Sequence, residues 1–257
     1  MARFFITGSS DGLGSLTAQR LVAQGHQVVL HARNPERARD AASACPGAKT
    51  VLVADLSSLD EIKRLAVEAN ALGPYDAILH NAGVFLRSSG AQAPPGNSGS
   101  LPTTFTVNTL APYLLTCLMG KPKRLVYVSS SMHTGGQPNV GGRGASDLAA
   151  SNYSDTKLHN AMFAKAFARC WPDVGCYSVD PGWVATNMGG PSATGRIEDG
   201  VDSFVMLVLG QGQDRWTNGG YFANSREQRS SAVTDDENLQ EQLLAELAKI
   251  SGVKVPE

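Results

Sequence analysis

Charge is scarce in this 257-residue chain and evenly split, with 22 Lys and Arg against 23 Asp and Glu and a formal net charge of -1. Without a basic excess or a long run of like charge, neither nucleic acid nor an anionic membrane surface is expected as a partner. Long apolar runs are also missing: none approaches the roughly 18 residues that a membrane span requires. Cysteine is limited to Cys45, Cys117, Cys170 and Cys176 with no C-x-x-C pair, so no thiol redox motif and no metal site is expected. Cys117 and Cys170 fall in helical apolar patterns and are expected as buried thiols. The first strand begins next to Met1, with no room for a leader, and a reducing, cytoplasmic location is the expectation.

What the chain has instead is a 42% hydrophobic, 18% charged composition, which fits one α/β domain over residues 1–257 with a substantial core. Its organising stretch is RFFITGSSDGLG at residues 3–14. Phe4, Phe5 and Ile6 read as a buried strand; Leu13, Leu16, Leu21 and Val22 suit one face of a helix. Gly8, Gly12 and Gly14 occupy the turn between them. Glycine there permits positive φ and close approach of a ligand, and the helix N-terminus that follows suits a phosphate. The spacing is not G-x-G-x-x-G; a tight turn without ligand is the plain alternative.

Strand and helix then alternate. Residues 26–30 (HQVVL) form a second strand, where a dinucleotide fold delivers an acid to a free ribose 2′-hydroxyl or an arginine to a 2′-phosphate. No acid occurs before Glu36, and Arg33, followed by Asn34, stands next to the expected position. This favours NADP(H) over NAD(H), the alternative being a solvated strand-end charge. Residues 49–54 form a third strand leading to Asp55 and Leu56; Asp55 either contacts an adenine or helps start the helix at 59–71. A fourth strand, 75–80, ends at Asn81, Ala82 and Gly83. Residues 88–100 are rich in Gly, Pro and Ser and read as a surface loop. A long helix at 104–119 carries Asn108, with an irregularity expected at Pro112. A fifth strand at 123–128 stops at three serines. The glycine-rich segment 134–151 has no periodicity, and a helix from about 152 carries Tyr153 and Lys157. A sixth strand at 174–179 ends at Asp180, Pro181 and Gly182. A loop at 183–196 has substrate-facing character, and helix 197–209, strand 220–223 and helix 237–250 follow. The fold expected is a single-domain Rossmann fold, a doubly wound, mostly parallel seven-stranded sheet with helices on both faces, the substrate segments lying near 134–151 and 183–200.

Tyr153 and Lys157 lie on one helix face with a rise of about 6 Å. An ammonium beside a phenol favours the phenolate, making Tyr153 a candidate proton donor or acceptor. With TGSSDGLG at 7–14, NAG at 81–83, Asn108 in VNTLAPY, Ser130 ending LVYVSS, YSDTK at 153–157 and PGWVAT at 181–186, the whole chain resembles the short-chain dehydrogenase/reductase family. It is most similar to the retinol dehydrogenase and WW-domain-oxidoreductase-like branch.

The resemblance implies that Ser130 orients the substrate oxygen, Tyr153 passes its proton, Lys157 binds the nicotinamide ribose and lowers the Tyr153 pKa, and Asn108 holds a proton-relay water. It implies that Gly8, Ser10, Asp11, Gly12, Leu13, Gly14, Arg33, Asn34, Asp55, Leu56, Asn81, Ala82 and Gly83 line the cofactor, with Tyr153 and Lys157. Pro181, Gly182, Val184 and Thr186 then cover the nicotinamide. The implied substrate is a small-molecule carbonyl or alcohol, and helices 104–119 and 153–169 are where family members form dimers or tetramers. Three positions depart from the family pattern. His80 stands where an asparagine is frequent, Asp11 where some NADP-preferring members are basic, and Ser129 and Ser131 flank Ser130, leaving the serine's register open. A non-catalytic NADP-binding sensor or scaffold is the alternative function. A methyltransferase would share only the first glycine turn.

Overall fold

The computed structural model describes residues 1–85, 101–142 and 144–257; the loop expected at 88–100 lies outside them. Eight strands form one sheet: β1 (Arg3–Ile6), β2 (Gln27–Ala32), β3 (Thr50–Val53), β4 (Ala77–His80), β5 (Arg124–Val128), β6 (Gly175–Asp180), β7 (Tyr221–Ala223) and β8 (Arg226–Gln228). Their order is β3-β2-β1-β4-β5-β6-β7-β8. The first seven are parallel and β8 is antiparallel to β7. Strand order reverses between β1 and β4, which opens a crevice at their carboxyl ends.

β8 is an addition to the seven strands expected. Asn224 and Ser225, with φ of 50° and 56°, turn the chain between β7 and β8, a two-residue connection whose twist matches the hairpin. All three β8 residues are exposed, so no apolar alternation marks the strand in the sequence.

The helices are α1 (Gly12–Ala23), α2 (Pro35–Ala44), α3 (Leu59–Asn70), the single turn α4 (Thr103–Phe105), α5 (Ala111–Leu118), α6 (Ala145–Ala149), α7 (Tyr153–Cys170), α8 (Ile197–Leu209) and α9 (Glu237–Ser251). Successive strand residues point to opposite faces. Phe4, Ile6, Val28, Leu30 and Val126 meet α1, α2 and α8 on one side. Phe5, Val29, Ile78 and Tyr127 meet α3, α5, α7 and α9 on the other. Burying a side chain of this size contributes about 1.5–3 kcal/mol, so both faces stabilise the sheet substantially.

Three local outcomes differ from the sequence reading. The buried face of α1 is Gly14, Ser15, Thr17, Ala18 and Leu21, while Leu16 is 37% exposed; small residues let the helix sit close to the sheet beside the glycine turn. Residues 104–119 are not one α-helix, since a π-helical turn at Thr106–Leu110 joins α4 to α5. Pro112 has no N–H for the Asn108 carbonyl, and that carbonyl instead accepts from Asn160 Nδ2 at 2.8 Å. Cys170, in the last turn of α7, is exposed and not buried. The segment after β5 holds a 3₁₀ turn (Ser131–Gly135) and α6. Among the described residues no helix is long and apolar enough to cross a membrane.

Candidate active site

The glycine turn is fixed by packing. Gly8 has φ +61°, and a Cβ there would stand 2.8 Å from Ala82 Cα; one on Gly14 would stand 2.5 Å from Asn81 Nδ2 and 2.6 Å from the Gly8 carbonyl. Asn81 uses that closeness, donating from Nδ2 to the carbonyls of Thr7 and Gly8 at 2.9 Å each. Ala82 N–H donates to Thr7 Oγ1 at 3.0 Å. The segment after β4 therefore floors the turn after β1. The first N–H groups of α1 have no partner within the helix, and Gly12, also at positive φ, lies beneath Thr186. A flat, partly anionic ligand matches this cradle.

His31, which pattern reading passes over, completes the turn. Its Nδ1 accepts from Gly8 N–H at 2.9 Å, and its Nε2 donates to the Ala54 carbonyl at 2.9 Å. Burial lowers its pKa to about 4, so the ring is neutral with the proton on Nε2. The surrounding charges are divided. Arg33 is exposed and free of partners among the described residues, whereas Arg37 pairs with Asp11 at 2.9 Å, and Asp11 also accepts from Asn187 Nδ2 at 2.9 Å. Asn34 caps α2 through Arg37 N–H. Asp55 does not cap α3, a task taken by Ser58; it accepts from the Ser57 N–H and hydroxyl. Leu56 is core. Ser10 and Leu13 are half-buried along the turn, and Val184 is buried beneath the loop that its bridge to Gly195 closes.

Across the crevice, a capping box between Asn152 and Asp155 starts α7 at Tyr153. The Ser130 hydroxyl is near enough to the Tyr153 phenol to favour its ionised form. Ser129 Oγ instead donates to the Lys157 carbonyl at 2.7 Å. Lys157 is buried; its Nζ donates to the Val128 carbonyl at 2.8 Å and stands 5.4 Å from the centre of the Tyr153 ring. Burial lowers its pKa to about 8, against the opposing effect of Asp180. Tyr153 is pushed up to about 12, first by burial, then by the Asp180 charge, with Ser130 acting the other way. The depression expected from Lys157 is thus not found; the ammonium is turned toward the Val128 carbonyl while the phenol lies in a poorly solvated site.

Asn108 lies in the π-helical turn. Its Oδ1 accepts from Val84 N–H at 2.8 Å, and its Nδ2 donates to the Val84 carbonyl at 2.9 Å and to Thr156 Oγ1 at 3.2 Å. It clamps the 81–85 segment to α7. A Cβ on Gly83 would stand 3.4 Å from both Asn108 Oδ1 and Lys157 Nζ, so the glycine lets these polar groups converge. His80, buried on the sheet, meets Thr116 Oγ1 at 3.1 Å and stacks on Tyr127.

Residues 3–196 match the short chain dehydrogenase family. This chain belongs to that family. Over 259 residues it is 44% identical to an uncharacterised oxidoreductase of Emericella nidulans, covering 100% of this chain and 99% of the relative. Over 265 residues it is 40% identical to a short-chain dehydrogenase of Penicillium rubens, covering 100% of both. A short-chain dehydrogenase/reductase structure from Burkholderia multivorans with bound NADP superposes with a TM-score of 0.66 at 21% identity, covering 89% of this chain and 99% of that one. As a member of the short-chain dehydrogenases, the chain is an oxidoreductase of nicotinamide-dinucleotide type, and the glycine cradle fits that group. When bound, the dinucleotide supplies the hydride chemistry.

Proposed function

We propose that this short-chain dehydrogenase interconverts a small-molecule carbonyl and its alcohol, preferring NADP(H) to NAD(H). The observation that carries the reading is the meeting of Ser130, Tyr153 and Lys157 at the carboxyl edge of the sheet, beside the glycine cradle. Tyr153 passes the proton, Ser130 holds the substrate oxygen, and Lys157 binds the ribose and steadies charge on the phenol once the site is filled. Asn108 Oδ1 keeps a second acceptor lone pair, and its convergence with Lys157 Nζ behind Gly83 supports a relay water there. The preference for the phosphorylated cofactor rests on Arg33, exposed just after β2 and without a partner among the described residues, and is consistent with the NADP-bound structural relative. Four exposed apolar side chains, Phe85, Met132, Trp183 and Met188, follow β4, β5 and β6, which supports a partly apolar substrate. The test is a panel of aliphatic and aromatic aldehydes and ketones with NADPH or NADH, followed by cofactor absorbance. The reading expects turnover of at least one carbonyl, faster with NADPH at limiting cofactor. Binding of both cofactors with no turnover across the panel and the matching alcohols would favour the sensor or scaffold alternative.

A further inference from the structure

Asp180 ends β6 at the same edge as the site, and its two carboxylate oxygens are used by two different loops. Oδ2 accepts from Ser131 N–H at 3.0 Å, one residue beyond Ser130; Oδ1 accepts from Gly182 N–H at 2.9 Å, at the start of the segment carrying Val184 and Thr186. A neutral side chain could not reproduce both bonds, because an amide presents one acceptor oxygen and one donor nitrogen.

The same carboxylate acts on groups from three neighbouring elements. These are Tyr153 and Lys157 on α7, His133 in the 3₁₀ turn and Tyr221 on β7. His133 is itself fixed, Nδ1 donating to the Ser130 carbonyl at 2.7 Å and Nε2 accepting from Ser231 N–H at 3.0 Å. Lys157 is the cation on which Asp180 acts at this end of the crevice.

We infer that Asp180 is a positioning residue whose carboxylate ties the Ser130 turn to the 181–186 loop and sets a negative charge at the edge of the sheet that Tyr153 and Lys157 share, preparing the site for carbonyl reduction. The inference rests on the proposed role of Tyr153. A reductase needs that tyrosine as a neutral phenol with a proton to give; alcohol oxidation needs it as a phenolate. A negative charge nearby opposes the phenolate and favours the ammonium. Asp180 therefore biases both groups in the direction that supports reduction at neutral pH.

The experiment compares pH profiles of kcat for reduction and oxidation in the native protein, Asp180→Asn and Asp180→Glu, with thermal melts and cofactor-induced shifts as controls. In Asp180→Asn the oxidation limb should move to lower pH by about one unit, lowering the reduction-to-oxidation ratio at pH 7 roughly tenfold. Asp180→Glu keeps the charge on a longer arm, so it should lower kcat without moving the limb. Superimposable profiles, a uniform fall in kcat at all pH values in Asp180→Asn, or a limb displaced equally in Asp180→Glu would overturn the inference. A substrate-free readout separates this from the proposed function. The tyrosinate absorbance titration, taken as the difference from Tyr153→Phe on each background, should move to lower pH with Asp180→Asn. An unmoved titration overturns the inference; a moved titration in a protein without turnover supports it and counts against the proposed activity.

Discussion

The glycine turn after β1 and the start of α7 face one another across the crevice, and they differ in what each could not do without. In the turn, close approach leaves no room for a side chain at Gly8 or Gly14, and the Asn81, Thr7 and His31 side chains bond the backbone so exposed. At α7, buried polar side chains make the joins: Asn108 grips the Val84 N–H and Thr156, Ser129 grips the Lys157 carbonyl, and His159 spans Thr109 Oγ1 at 3.1 Å and the Pro138 carbonyl at 2.9 Å. Both use buried polar bonds, but only the turn depends on the absence of side chains. The two should therefore fail under different perturbations.

Acid is expected to act most broadly. His31 under the turn, His80 between the halves and His159 in α7 are buried and neutral, with pKa values lowered to about 4, 3 and 4. Each folded pKa lies below the unfolded value of about 6.5. Their contribution is complete above pH 6.5 and is lost as pH falls toward 4. Between pH 7 and pH 5 the loss is on the order of 2 kcal/mol for each buried imidazole. The melting temperature should fall steeply over that interval; a flat profile would contradict the buried neutral assignments.

Gly8→Ala sharpens the contrast from the side of shape. Positive φ together with a contact that the backbone of Ala82 cannot easily vacate should cost about 3 kcal/mol and diminish the cofactor-induced thermal shift. A cost under about 0.5 kcal/mol would mean that the turn is not defined by packing. Arg33→Ala is the smallest perturbation. It should leave the unfolding free energy within about 0.5 kcal/mol of the native value, as for an exposed side chain, yet lower NADP(H) affinity relative to NAD(H) by about tenfold through a lost charged contact. An unchanged ratio would detach Arg33 from the 2′-phosphate.

The same contrast explains what could be read from the sequence. A turn defined by absent side chains leaves a spacing of glycines, and helix α7 announces itself by Tyr153 and Lys157 one turn apart. The serine register could not be read, because Ser129, Ser130 and Ser131 differ only in which way each points; in the folded chain Ser129 turns to the Lys157 carbonyl, while Ser130 acts on the phenol. His31, Asp180 and His133 escaped notice because their partners are backbone groups, a feature of the folded chain that no pattern of residue types encodes. Residues 104–119 read as a helix, and Pro112 marked an irregularity. The carbonyl it leaves without a helical partner is satisfied by Asn160, far along the chain. The β8 hairpin stayed hidden because its strand buries nothing.

The measurement that most directly tests the account is Tyr153→Phe, made once a carbonyl substrate is in hand. The native protein and the variant are compared for NADPH consumption and for the thermal shift that NADPH produces. The account predicts a fall in turnover of about 10²–10⁴-fold, with a cofactor shift matching that of the native protein. Turnover within a few-fold of native would contradict the assignment of proton transfer to Tyr153.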